Sequence, residues 1–377
     1  MKKKGWLLVL VPLLALTGCQ GDLLPRARDI TTVELMQVLA LDAGAGERLR
    51  VTAATGVRSV GQGGEPKPPV VLHQEAATVL AACMRMQGSA DGYASFSHVE
   101  QVVLSAEAAE RSTAGLLDFL ERDPEMRLDT RVSVTEGKAG ELVEAFQKEE
   151  RSAAELLEGA QRELEVNSQG WPVSVRELMA DLEENGCALL PVVKVEQKED
   201  KPELRCETMG WFQEDDFRSA LTQRQARAAA ILKGKLGSGA VELTLPEGKA
   251  AGLRLTQSKC KWVPRWEGDR LAGLTARVQV TADLAELRGG AEAVSEQEEP
   301  MRRALEDRLK KDIEELLELS RRSGADFLHL QRELRVLCPA RYRDIDRHWA
   351  EWFPALDWKA EVEGTVERSY DLNGGAA

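Results

Sequence analysis

The sequence predicts an α+β protein of several lobes, with antiparallel sheets, packed helices and a larger C-terminal unit made of a sheet and one long helix. Three patterns carry this prediction. In TARVQVTADL, Ala276, Val278, Val280, Ala282 and Leu284 alternate with Thr275, Arg277, Gln279, Thr281 and Asp283, the period of a half-buried strand. Near the C-terminus Trp358, Ala360, Val362, Gly364 and Val366 alternate in the same way with Asp357, Lys359, Glu361, Glu363 and Thr365. Between these strands, in EEPMRRALEDRLKKDIEELLELSRRSGADF, the residues Met301, Leu305, Leu309, Ile313, Leu316 and Leu317 form one stripe. That spacing predicts a long helix lying across the sheet and stopped by Gly324. Helices on one face of an antiparallel sheet make an α+β unit.

The N-terminus reads MKKKGWLLVLVPLLALTGCQGD. Three lysines precede an apolar stretch at residues 6–16, which is too short for the roughly 20 residues a helix needs to cross a bilayer, so residues 1–18 read as a secretory signal. Leu16-Thr17-Gly18-Cys19 resembles a bacterial lipobox, which would place a diacylglyceryl group on the thiol of Cys19 and cut the chain before it. The alternative is an ordinary cleaved signal with an incidental cysteine. Two or three acyl chains anchor stably where one does not. The leader has three lysines and no acid, so the mature surface is more acidic than the net −13 of the whole chain. Such a surface does not seek nucleic acid or anionic headgroups, and the lipid must hold the protein to the membrane.

After the leader, residues 38–41 and the face Leu49, Val51, Ala53 and Thr55 predict a hairpin. Residues 60–69, VGQGGEPKPP, predict a loop, residues 70–72 a short strand, and residues 75–87 a helix. Cys83 lies there with Ala76, Val79, Leu80 and Met84 at helical spacing, as a small buried hydrophobe would. A strand at 99–104 and a helix at 106–121 follow. In the charged run LLDFLERDPEMRLDTRVSVTEGKA, Leu116, Leu117 and Leu120 continue the helix face, Asp123-Pro124 stops it, and residues 127–134 predict a strand. Its carboxylates divide among a helix face, a turn and a strand's outer face with arginines between them, which reads as solvated scaffold. Residues 140–165 predict one charged helix. Ser174 and Glu177 have the form of a capping box opening a helix that Gly186 ends. Residues 189–195 predict a strand.

Residues 196–205 read as a charged linker between two domains, 19–195, expected to form two small α+β lobes, and 206–371, followed by a tail at 372–377. In the second domain a helix at 221–232, a glycine-rich turn and a strand at 240–245 precede the three patterns described first.

No catalytic constellation stands out. His73, His98, His329 and His348 are far apart, without metal-ligand spacing, and each reads as a surface or structural histidine. Gly237-Ser238-Gly239 and Gly61-Gln62-Gly63-Gly64 lack the context of a phosphate-binding loop, and GxSxG is absent. Cys83, Cys187, Cys206, Cys260 and Cys338 are odd in number, so at least one is unpaired or pairs between molecules. Trp349, Trp352 and Trp358 read as core packing before a stacking platform. No cofactor is expected.

Taken together these segments resemble the Ger(x)C family, the lipoprotein C subunits of spore nutrient germinant receptors. The resemblance rests on the lipobox, on Phe96-Ser97-His98 before a strand, on LLDFLERDPEMRLD with Glu136-Gly137-Lys138-Ala139, and on Leu190-Pro191-Val192. In the second half LTQRQARAAAILKGKLGSGAVEL, DLAELRG, LKKDIEELLELSRRSGADFLHL and HWAEWFPALDWKAEVEGTVER carry it. His73-Gln74-Glu75 and Met209-Gly210-Trp211-Phe212 depart from the family pattern. The resemblance implies three small α+β lobes on the outer face of the spore inner membrane. It also implies two membrane-spanning partner subunits, one with a soluble domain and one like a transporter, and a role in assembly and signal coupling. It supplies no catalytic residue, so Cys19, as a lipidation site, is the one functional position it transfers. Two readings of other classes stand beside it: a free-standing solute-binding lipoprotein, and a surface hydrolase, for which no nucleophile or metal arrangement is present.

Overall fold

A computed structural model of the 377-residue chain describes residues 33–57, 68–89, 92–111, 113–199, 201–214, 216–288 and 294–368. The leader, Cys19, residues 60–67 of the glycine-rich loop and the tail lie outside the described residues.

The chain opens with the predicted hairpin, β1 (Val33–Ala43) against β2 (Leu49–Thr55), closed where Gly44 N donates to Arg48 O at 2.9 Å. β3 (Val71–Ala76) pairs with β2 and runs further than its sequence suggested, so α1 (Val79–Ser89) begins later. Of the expected apolar face of α1, Val79 and Cys83 are buried, whereas Leu80 and Met84 are exposed. Then come β4 (Tyr93–Ser95), β5 (Gln101–Ser105), α2 (Ala106–Ala109), α3 (Thr113–Arg122), β6 (Arg131–Thr135), α4 (Ala139–Lys148) and α5 (Ala153–Val166). The two long helices expected here are each broken. Ser105 caps α2, which ends after one turn, and Ser152 begins α5 by accepting from Glu155 N at 3.3 Å, just after Glu150 takes a left-handed φ of 56°. A side-chain oxygen that satisfies a free N–H favours starting a new helix there. β7 (Val173–Ser174) and α6 (Val175–Asn185) follow; α6 has the predicted capping box and stops at Gly186, φ 69°.

β8 (Cys187–Lys198), β9 (Lys201–Gln213) and β10 (Asp216–Ala220) complete one sheet in the order β10-β9-β8-β6-β5-β1-β2-β3, with β4 beside β1 and β7 beside β6. Two expectations are corrected here. The charged stretch 196–205 is not a linker but the end of a hairpin, with Glu196 opposite Glu203 and Lys198 opposite Lys201. All strands of the first half join this single sheet, β6 meeting β8 through the pair Val134 and Val192. The sheet is not antiparallel throughout: β1, β5, β6 and β8 are parallel neighbours. Helices return the chain to the starting end between β5 and β6 and between β6 and β8, and such crossovers make parallel pairs. Gln101–Ser105 is buried at every position, as expected of a strand covered on both faces.

The second sheet has the order β11-β12-β13-β14, from β11 (Ala240–Thr244), β12 (Ala250–Glu267), β13 (Arg270–Leu287) and β14 (Asp357–Arg368). Before it lies α7 (Gln223–Leu232); between β13 and β14 lie α8 (Val294–Ser323), α9 (Leu330–Leu337) and α10 (Tyr342–Trp352). β14 is parallel to β13, again because a helical crossover joins them, which corrects the expected antiparallel sheet. All six residues of the α8 stripe are at most 1% exposed, and Gly324 stops the helix at φ 68°. Trp349 and Trp352 are buried, and Phe353 packs edge-on to Trp358 at 5.6 Å, so these tryptophans serve the core.

Candidate functional site at the joint between the two halves

Cys19, the one site residue predicted from sequence, lies outside the described residues. The charged run, by contrast, is fully placed. Leu117 and Leu120 are wholly buried and Leu116 nearly so. On the outside Arg122 Nε donates to Asp118 at 2.7 Å and Arg127 holds Asp129 through two hydrogen bonds of 3.0 and 2.7 Å. These bonds pull Asp129 below the usual carboxylate range, but the pair is open to water and adds little stability. Asp123 accepts from Glu125 N at 2.9 Å to form the turn, and the Thr130 hydroxyl donates to Val99 O at 2.7 Å. The run is scaffold.

Its Gly-Lys-Ala end has a structural cause of its own. Buried Asp42, from β1, accepts from Ala139 N and Gly140 N, each at 2.8 Å, and so caps α4 across nearly a hundred residues of sequence. A Cβ on Gly140 would stand 2.7 Å from Thr52 Oγ1. Glycine is therefore the residue that lets α4 approach β2.

Three sets of contacts join the halves. The first is the ladder of β8 on β9, which runs from Cys187 opposite Gln213 to Lys198 opposite Lys201. The second is Gly237-Ser238-Gly239, whose N–H groups bind a carbonyl and a hydroxyl of the first half. Ser238 N donates to Val166 O and Gly239 N to Ser168 Oγ, both at 2.8 Å, so the loop meets groups left over at the C-terminal end of α5. A Cβ at Gly237 would lie 1.9 Å from Glu165 O, and at Gly239 2.3 Å from Asn167 O. Only glycine permits that approach.

The third set surrounds the turn after α8. Across the halves Asn185 Nδ2 donates to Asp326 O at 3.0 Å, and within the second half Gln213 Nε2 donates to Ser323 O at 3.0 Å while the Trp211 and Phe327 rings sit 5.8 Å apart. The buried Asp326 carboxylate accepts from Leu330 N at 2.8 Å and Gln331 N at 2.9 Å, capping α9. Burial pushes it up to about 6 against the pull of those two N–H groups. His329 follows in a left-handed backbone conformation, φ 58°, with its ring buried. Its Nε2 lies 3.3 Å from Asp181 Oδ2 and its Nδ1 3.8 Å from Glu184 Oε2, but neither nitrogen has the alignment of a hydrogen bond. Lys233 Nζ donates to Leu328 O at 3.4 Å; burial lowers its basicity while Asp181 and Asp326 act the other way. A cleft of ≈690 Å³ opens beside this group, with Trp171, Trp262 and Cys260 also on its walls.

Among the described residues no three His, Cys, Asp or Glu side chains come together as metal ligands. The five cysteines among the described residues are free, and burial pushes Cys83, Cys187, Cys206 and Cys260 up to about 12, which keeps them as thiols. The sequence reading missed His329 and Asp326 as a pair. The signal was present as an acid four residues before Leu330, in capping position for a short helix that had not been predicted.

A mixed sheet and a second sheet under a long helix define a protein of α+β class. Residues 26–195 match the family described as "Spore germination protein N-terminal domain", and residues 207–370 match "Spore germination B3/ GerAC like, C-terminal". The chain belongs to this GerAC-like, or Ger(x)C, family of spore germination proteins. "Putative spore germination protein YfkR" of Bacillus subtilis (strain 168) is 22% identical over 299 residues, covering 77% of this chain and 76% of that protein. The crystal structure of the GerBC protein is similar in fold, with a TM-score of 0.56 at 14% identity, over 87% of this chain and 96% of that one. The seam between the two family matches falls inside the β8–β9 hairpin.

Proposed function

We propose that this protein is the lipid-anchored, non-catalytic C subunit of a spore nutrient germinant receptor, needed for receptor assembly and signal coupling. In this reading residues 1–18 are removed, Cys19 carries the lipid, and the protein faces outward from the spore inner membrane beside two membrane-spanning subunits. The observation that supports it most is the match of both halves of the chain to germination families. No helix of the described residues is long and apolar enough to cross a membrane. The division into 19–195 and 206–371 belongs to the same reading, with the joint holding the two in fixed relation.

The test is a pull-down of the tagged protein from gently solubilised spore inner membranes, with mass spectrometry of its partners and its N-terminal peptide. Two multi-spanning partners and a diacylated Cys19 are expected. A lipidated protein recovered alone, where other membrane complexes survive, would favour the second reading, a free-standing solute-binding lipoprotein. The cleft beside His329 is the observation on that side, and direct ligand screening would then begin there. Cys19→Ala is expected to release the protein from membranes and impair germination, and unchanged retention would refute the anchor.

A further inference from the structure

Among the described residues β14 is the longest strand at a sheet edge, 12 residues against 5 or 6 for β3, β10 and β11, and it pairs on one side only. Its register with β13 runs unbroken from Asp357 to Arg368. Successive N–H groups of a strand point to opposite edges. Gly364 N donates to Glu306 Oε1 of α8 at 2.9 Å, so it faces away from β13. By alternation Ala360, Val362 and Val366 present their N–H groups to the same free edge.

Long bare edges are usually blunted by proline, inward-pointing charge or a bulge. β14 has none of these; it carries charged side chains on its solvent face, and at its edge stands the Glu306 carboxylate, held in place by Arg302 at 2.6 Å. The side chains divide cleanly by face. Toward α8 stand Ala360 and Gly364, buried, with Trp358, Val362 and Val366 half-buried. Toward solvent stand Asp357, Lys359, Glu361, Glu363, Thr365 and Glu367, all exposed; Arg277 of β13 pairs with Glu361 at 2.8 Å, whereas Glu363 accepts from the neutral Gln279 at 3.0 Å and keeps its charge uncompensated there.

We propose that the free edge of β14 is a docking site for an extended segment of a partner protein in which apolar residues alternate with lysine or arginine. Added as a fifth strand, such a segment places its apolar residues toward α8 and its cations beside Glu363 and Glu367. Main-chain hydrogen bonds supply the attachment and the alternating side chains the selection. A second copy of this chain fits poorly. A two-fold pairing centred anywhere from Glu361 to Glu363 sets glutamates opposite each other, and like charges across a strand pair repel.

The experiment uses the full chain and a fluorescent peptide as long as β14 that alternates valine and lysine, with a valine–glutamate peptide as control. The lysine peptide is expected to bind roughly tenfold or more tightly than the glutamate one, about 1.4 kcal/mol. Val362→Pro removes an N–H from the free edge without removing one from the ladder with β13, and is expected to weaken binding by a similar factor. Equal affinity for the two peptides, or full binding by a folded Val362→Pro variant, would overturn the proposal. If that variant does not fold, Glu363→Lys with Glu367→Lys is expected to reverse the peptide preference, and an unchanged preference counts against the site. Sedimentation of the chain alone completes the test: a dimer abolished by Val362→Pro would assign the edge to a second copy instead. None of these readouts depends on the receptor assignment or on lipid at Cys19.

Discussion

Gly237 and Asp326 each hold a part of the joint that no other residue type would hold in the same way. A methyl group at Gly237 has no room beside Glu165 O, so Gly237→Ala must push the loop off α5. A loss of about 3 kcal/mol is expected in urea unfolding; a loss under about 1 kcal/mol would mean the loop relaxes freely. Asp326 gives a pH prediction. An unfolded aspartate titrates near ~4, while burial pushes this one up to about 6, so the folded state holds the proton more tightly. Its contribution is therefore greatest below pH ~4 and is lost as pH rises to about 6. Two decades of proton affinity correspond to ~3 kcal/mol. Relative to Asp326→Asn, the native chain should lose roughly that much stability between pH 4 and pH 7, and parallel stability curves for the two would show that the carboxylate is not strained by burial.

At the level of elements, buried stripes matter and the charges around them do not. Leu117→Ala in α3 should cost about 3 kcal/mol, whereas Asp118→Ala on the same helix should change stability by ~0.5 kcal/mol or less; comparable losses from both would contradict the scaffold reading of the charged run. The same distinction explains what could be read from the sequence. The α8 stripe, the β13 and β14 alternations and the α6 capping box were legible because each is a local pattern with one period or one cap. β5 and β8 were found as apolar runs, but their parallel pairing was not, since direction depends on crossovers and leaves no trace within a strand. β12 escaped notice because bulges at Gly252/Leu253, Leu255/Gln257 and Arg265/Trp266 break its alternation. Residues 196–205 were misread because charge and proline suggest a loop, yet a hairpin tip standing in water tolerates both. The Asp42 cap on α4 and the His329 group join residues distant in sequence, and no local pattern announces such pairs.

For the whole molecule, the two family halves share one sheet, because β9 and β10 come from the second match and lie against β8 from the first. Unfolding in denaturant should therefore be one transition, seen alike through Trp211 in the first sheet and Trp262 in the second; two separated transitions would show that the halves melt independently. Order of synthesis follows from the same feature. While the chain is being made, β8 emerges with a bare edge that stays open until β9, through Gln213, is available to cover it. A nascent chain interrupted just after the first family match would expose that edge to its neighbours, and a chain released only about eighteen residues later would not. The β8–β9 hairpin thus sets the point in translation after which the first half can stand safely by itself.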